Sequence, residues 1–176
     1  PATPATPAQP PAAASAAAGQ VPPTSLPSVS FADRRTGIRL AYPRTWTRLP
    51  AHDPTVPLLV SSRDGASLEV RGVQLAQPIT GPRLAAIRDA TGLLIKARPQ
   101  VKIIAGPRLL ADNGLPGFLY IYTFYDPISR QRVGHSQISL FSGRRMYTLV
   151  FQTARESGLT RFAMLFDKIT ASFHAG

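Results

Sequence analysis

The 176-residue chain carries 20 lysines and arginines against 9 aspartates and glutamates, a formal net charge of +11, with 18 prolines and no cysteine. That length suits one domain with a proper core plus a tail, and hardly two full domains. The missing cysteine excludes a disulfide scaffold, a zinc ribbon, a thiol nucleophile and a lipid-bearing cysteine within this sequence.

Residues 1–30 hold eight prolines and nine alanines and not one charged side chain. So little bulky apolar surface cannot offset the entropy of ordering the segment, and its prolines favour an extended polyproline-II spacer. Residues 1–28 are therefore expected to form a disordered Pro/Ala-rich linker, and residues 29–174 the globular domain. Ala12–Ala18 lacks the basic and strongly apolar regions of a signal peptide, so the linker is expected to follow an export signal or membrane anchor lying upstream. All formal charge falls on residues 31–176, where seventeen of the twenty basic residues are arginine. The longest uncharged run there, Asn113–Tyr125, is too short and too polar to span a bilayer.

In the charged part, Ser28–Ala32 is a short run followed by the turn-like Asp33–Gly37. Ile38, Leu40 and Tyr42 then alternate with Arg39 and Ala41, a half-buried strand stopped by Pro43. Leu58–Ser62 and Ser67–Leu75 flank Asp64-Gly65, a strong hairpin signal because that turn needs positive φ. Val101–Ala111 and Gly117–Tyr125 repeat the pattern around Asp112-Asn113-Gly114, and Val133–Phe141 and Arg145–Thr153 around Ser142-Gly143-Arg144. Successive hairpins predict an antiparallel sheet.

Two segments have helical period instead. Pro82–Ala97 follows Thr80 as N-cap, with Leu84, Ile87, Thr91 and Leu94 on one face and Gly92 as a weak point. Near the end, Leu159, Phe162, Phe166, Ile169 and Phe173 follow a 3-4-3-4 spacing from about Ser157, whose hydroxyl is expected to cap the helix. The segment Phe118–Tyr125 is apolar on both faces, as in a strand covered on both sides. Two helices and such a strand predict an α/β (α+β) chain, an α-β-α sandwich with a central antiparallel sheet and one long helix on each face.

The sequence also resembles a known family. Phe31, Gly37-Ile38, Tyr42-Pro43 and Trp46 are similar to the opening of exported PsbP-like proteins, the group that includes LpqN- and DcrB-like lipoproteins. Phe162, Phe166, Ile169 and Ser172-Phe173 resemble its terminal helix, and the hairpins and Pro82–Ala97 occur between them in the expected order. The resemblance covers about residues 29–173. It implies the same sandwich and, usually, a non-enzymatic accessory domain. The lipoproteins' anchoring cysteine is absent, which leaves a membrane anchor outside this sequence or free secretion. Independently of the family, Pro43 ends its strand and fixes φ, so Trp46 is expected to fold back over the core edge, with Tyr42, Pro43, Trp46, Phe162, Phe166 and Phe173 as structural anchors.

Little in the sequence points to catalysis. His52, His135 and His174 fall in a loop, a strand and the C-terminal tail, none with a partner at metal-ligand spacing. Glu156-Ser157 lacks an oriented base, Ser142-Gly143-Arg144-Arg145 lacks phosphate-loop spacing, and no pair of carboxylates stands out. No enzyme, metal or cofactor is expected. The positive signal is arginine at turns: Arg34 and Arg35, Arg130 and Arg132, Arg144 and Arg145. Guanidinium forks grip carboxylate or phosphate with two prongs, and a basic domain is drawn to anionic surfaces. These residues are the candidate partner-binding set, although successive turns alternate between sheet ends and need not form one patch. The aromatic interleaving of a single-strand binder is missing, which argues against nucleic acid. The expected function is an exported accessory domain that docks on a cell-envelope protein complex. The alternatives are a carrier or sensor of a small or lipidic ligand held between the sheet and Pro82–Ala97, near Tyr120 and Tyr122, or an electrostatic binder of anionic lipid or wall polymer.

Overall fold

The computed structural model describes residues 25–176. Most of the expected linker therefore lies outside the described residues, and the first strand starts at Ser28, the last linker position. In chain order the elements are β1 (Ser28–Asp33), β2 (Ile38–Pro43), β3 (Thr47–Arg48), β4 (Leu58–Ser61), β5 (Ala66–Gln74), α1 (Gly81–Lys96), β6 (Lys102–Asp112), β7 (Leu115–Asp126), β8 (Gln131–Ser142), β9 (Arg145–Thr153), α2 (Ser157–Ala171) and β10 (His174–Ala175). The chain is α+β, and its strands pair antiparallel. Among the described residues no helix is long and apolar enough to cross a membrane.

Two sheets replace the single sheet expected. The larger has seven strands in the order β3-β4-β5-β9-β8-β7-β6; β1, β2 and β10 form a separate sheet of three. The cause is non-local. Pro43 closes β2, whose free side is taken by the C-terminal strand, His174 opposite Arg39 and Ala175 opposite Ile38. The residues expected to be a tail thus become a strand, and the backbone N–H of Gly176 donates to the carbonyl of Gly37 at 3.2 Å.

The hairpins turn where the sequence places them, with Gly65, Gly114 and Gly143 at φ of 83°, 79° and 55°. A fourth hairpin, between β7 and β8, turns without glycine: Asp126 accepts from the backbone N–H of Ser129 at 3.1 Å and of Ile128 at 3.2 Å, and Arg130 takes the positive φ. Edge strand β6 pairs irregularly with β7, its register breaking between Ile103 and Ala105 and again between Ala105 and Arg108.

Side chains alternate faces along a strand, so β7 feeds two separate cores. Phe118, Tyr120, Tyr122 and Phe124 cluster with Val133, Phe141 and Ile95 of α1. Leu119 joins the cluster of Leu140, Leu149, Phe151 and the α2 residues Phe162, Leu165, Phe166 and Ile169, with Ile38, Leu40 and Trp46 of the small-sheet region.

Both helices depart from expectation in detail. On α1, Leu94 is 74% exposed and Ile95 only 2%. At about 100° per residue, Ile95 returns to within about 20° of Leu84 whereas Leu94 sits about 80° away, which is why the face runs Leu84, Thr91, Ile95. Gly92 is the contact point: a Cβ there would lie 2.7 Å from the Tyr120 hydroxyl. On α2, Leu165 is buried and Leu159 only half-buried. Ser157 is the first helical residue rather than a cap; Glu156 holds the N-cap position in helical geometry, without a side-chain capping bond. Thr80 precedes α1 but likewise makes no side-chain cap. Phe173 lies beyond α2, past Ser172 at the C-cap, and is fully buried edge-on to Tyr147 at 5.6 Å between centroids.

Candidate functional site

The turn between β1 and β2 is held by one carboxylate. Asp33 accepts from the Thr36 hydroxyl and, at 3.0 Å, from the Thr36 backbone N–H. These bonds, the Thr36 hydroxyl foremost, hold the Asp33 carboxyl below its ordinary range, with nearby Arg35 adding to them and partial burial opposing. The turn is carried onto β5 at Gly72, where an added Cβ would lie 3.2 Å from Thr36 Cγ2. A methyl at position 72 would require the Thr36 side chain to give by a few tenths of an ångström.

This close approach forms a cleft of about 240 Å³ whose lining includes Arg35, Thr36, Thr55, Gln74, Arg145 and Tyr147 and no carboxylate. Arg35 donates to the carbonyl of Pro54, and Arg145 donates to that of Thr36 at 2.8 Å. A guanidinium offers five N–H groups, so anchoring one nitrogen to a carbonyl orients the fork without using it up. Beside the cleft, Arg71 donates to Asp53 at 2.8 Å and to Glu69 at 3.1 Å. Asp53 also accepts from the Thr55 hydroxyl and backbone N–H; these bonds, the hydroxyl first, lower its pKa.

The six turn arginines do not form one patch. Arg34 and Arg35 belong to the β1–β2 turn and Arg144 and Arg145 to the β8–β9 turn, and Arg35 and Arg145 meet in the cleft. Arg144 stays exposed and donates to the Leu75 carbonyl at 3.3 Å. Arg130 and Arg132 lie at the opposite end of β8. Arg132 ties down the connection after α1, donating to the Gln100 carbonyl at 3.0 Å and the Thr123 hydroxyl at 3.2 Å. Sequence reading missed Thr55 and Gly72. A glycine inside a strand pattern, which often marks a close backbone approach, was the available signal for the second.

Of the histidines, His135 is the buried one. Its Nε2–H donates to Gln152 Oε1 at 2.8 Å, and its Nδ1 lies 3.1 Å from the Tyr122 hydroxyl, which is also 3.1 Å from Gln137 Oε1. His52 and His174 are exposed. Among the described residues no three His, Asp or Glu side chains come together in a metal-binding group. Where a ligand was expected between the sheet and α1, Tyr120 and Tyr122 are at most 2% exposed, and the Tyr120 hydroxyl donates to the Arg88 carbonyl at 2.9 Å.

With its two helices and antiparallel, hairpin-built sheets, the chain has the PsbP-like fold. Solved structures of that class superpose on this chain. Cyanobacterial PsbP (CyanoP) from Synechocystis sp. PCC 6803 matches with a TM-score of 0.61 at 15% identity, over 85% of this chain and 92% of that one. LpqN, involved in cell envelope biogenesis of Mycobacterium tuberculosis, matches at 0.58 and 13% identity, over 84% of this chain and 89% of that one. The Saccharomyces cerevisiae Ran-binding protein Mog1p matches at 0.54 and 11% identity, over 86% and 96%. At these identities the likeness is one of fold. No family model matches the sequence, and no curated protein matches it.

Proposed function

We propose that this chain is a non-catalytic binding domain, held outside the cytoplasm, that docks on a protein complex of the cell envelope through the arginine-bearing end formed by Arg34, Arg35, Arg144 and Arg145. One observation carries the reading: Arg35 and Arg145, from turns more than a hundred residues apart in sequence, line one cleft with no carboxylate among its lining residues. Two oriented guanidinium forks on a concave surface fit an acidic side chain or chain terminus of a partner. The fold neighbours support the class, since Mog1p is Ran-binding and LpqN is involved in envelope biogenesis, although fold alone does not transmit a partner. The two core clusters support an α-β-α sandwich with one helix per face. The Pro/Ala-rich residues 1–28 serve in this reading as a spacer between the domain, residues 29–174, and an anchor.

Cross-linking in cells followed by mass spectrometry of co-purifying material tests it. One discrete protein partner is expected at both low and high salt, lost with Arg34→Glu/Arg35→Glu and kept with Arg130→Glu at the far end. Recovery of only anionic lipid or wall polymer, released by salt, would replace docking by electrostatic surface binding.

A further inference from the structure

On the sheet face that carries α2, the helix leaves a groove of about 440 Å³ beside β6, β7 and β8. That volume lies within the roughly 300–1,000 Å³ of small-molecule sites. Its apolar lining comes from Leu119, Ile121 and Ile138 of the sheet and Leu159, Ala163 and Phe166 of α2. Among the described residues just two buried side-chain oxygens have no hydrogen-bond partner, Asp112 Oδ2 and Thr170 Oγ1. Both residues line this same groove.

Their neighbours fix them there. Asn113 Nδ2 donates to the carbonyls of Ala171 at 3.2 Å and Phe173 at 2.7 Å, which pins the β6–β7 turn to the end of α2 and brings Asp112 and Thr170 to that end of the groove. The electrostatics there favour a cation. Asp112 and Asp167 are carboxylates on the lining, and the C-terminal end of α2 turns the negative pole of its dipole the same way. Burial pushes the Asp112 carboxyl up, with His174 opposing, so a charged donor beside it would relieve a desolvation cost. Arg108, the basic residue of the lining, is exposed and lies four positions along β6 from Asp112.

We propose that this groove binds a small aliphatic primary amine, its ammonium seated between the Asp112 carboxylate and the Thr170 hydroxyl and its carbon chain along Leu119, Ile121, Ile138 and Phe166. An ammonium has three donors and no acceptor, which matches two unpartnered oxygens better than a carboxylate or a carbonyl would. This site is separate from the arginine-lined cleft and does not depend on its role.

The test is titration of the whole chain with n-octylamine, n-octanol and octanoate near neutral pH, followed by NMR of the leucine and isoleucine methyl groups. Octylamine is expected to saturate one site, shift the Leu119, Ile121 and Ile138 methyls, and bind at least about tenfold more tightly than octanol. Asp112→Asn, near-isosteric, should abolish that difference while leaving octanol binding in place. Ala163→Phe, at an exposed position of the α2 wall, should block both, with circular dichroism melts establishing that each variant is folded. Octylamine that fails to saturate, octanoate that shifts the same methyls as tightly, or amine binding indifferent to Asp112→Asn would each overturn the proposal and leave the two oxygens to water.

Discussion

Acidification should weaken this fold through His135 well before the carboxylates protonate. The imidazole is 6% exposed, and its pKa is pushed down from 6.5 to about 4. Burial is the main cause; the nearby Arg98 cation adds to it, while the Gln152 hydrogen bond and the Asp126 charge oppose it. Arg98 reaches this site by lying over the Phe124 ring at 4.6 Å. Between pH 6.5 and 4 the unfolded chain takes up a proton that the folded chain refuses, so the unfolded state binds more protons and stability falls as pH falls. The contribution is intact above pH 6.5 and exhausted below about pH 4. At about 1.36 kcal/mol per pKa unit the full loss is roughly 3 kcal/mol, of which about 2 kcal/mol is gone by about pH 5. Urea unfolding followed by the fluorescence of Trp46, the one tryptophan, measures it at about pH 7.5, 6 and 5. His135→Gln is the control. It lowers stability at neutral pH by loosening the Tyr122–His135–Gln152 chain, but its stability should be nearly flat across this window. Asp112, raised by burial, contributes with the opposite sign, and Asp33 acts below its ordinary range; both are common to the two proteins and cancel in the difference. A wild-type loss under about 0.5 kcal/mol, or an equal slope in His135→Gln, would refute the assignment of a buried neutral imidazole.

Two further expectations concern packing. Trp46 is 5% exposed within the larger core cluster, so Trp46→Ala should cost about 3–5 kcal/mol in denaturation followed by circular dichroism, and a loss under about 1 kcal/mol would mean the ring does not anchor the core. Gly92→Ala ought to gain about 1 kcal/mol in helix propensity, yet its Cβ would meet the Tyr120 hydroxyl at 2.7 Å. The net expectation is a loss of about 1–2 kcal/mol that reverses to a gain in a Tyr120→Phe background, as read from thermal melts of the four-protein cycle; the same sign in both backgrounds would remove the steric explanation.

What the sequence made legible was local. The turns at Gly65, Gly114 and Gly143 could be read because a hairpin needs positive φ where few residues other than glycine adopt it, and α2 could be read because its broad apolar face repeats at helical spacing. The face of α1 was harder, since Leu93 and Leu94 are both exposed and a buried glycine does the packing that a periodic pattern assigns to a large side chain. The first two strands of the small sheet were legible, but not that they stand apart from the large one: nothing near Ile38 or Arg39 announces pairing with residues at the far end of the chain. The same limit applies to the arginines. Their presence at turns was visible, but which of them share an end depends on strand order, and their meeting in one cleft depends further on Gly72 admitting Thr36.

The irregular outer strand of the seven-stranded sheet has a consequence for how this protein behaves at high local density. A passing chain that tried to extend the sheet would have to match β6 through two breaks of register and past Pro107, which has no N–H to offer. At the other margin it would find only the two residues of β3. Neither margin of the seven-stranded sheet is therefore a good template for a strand added from another copy.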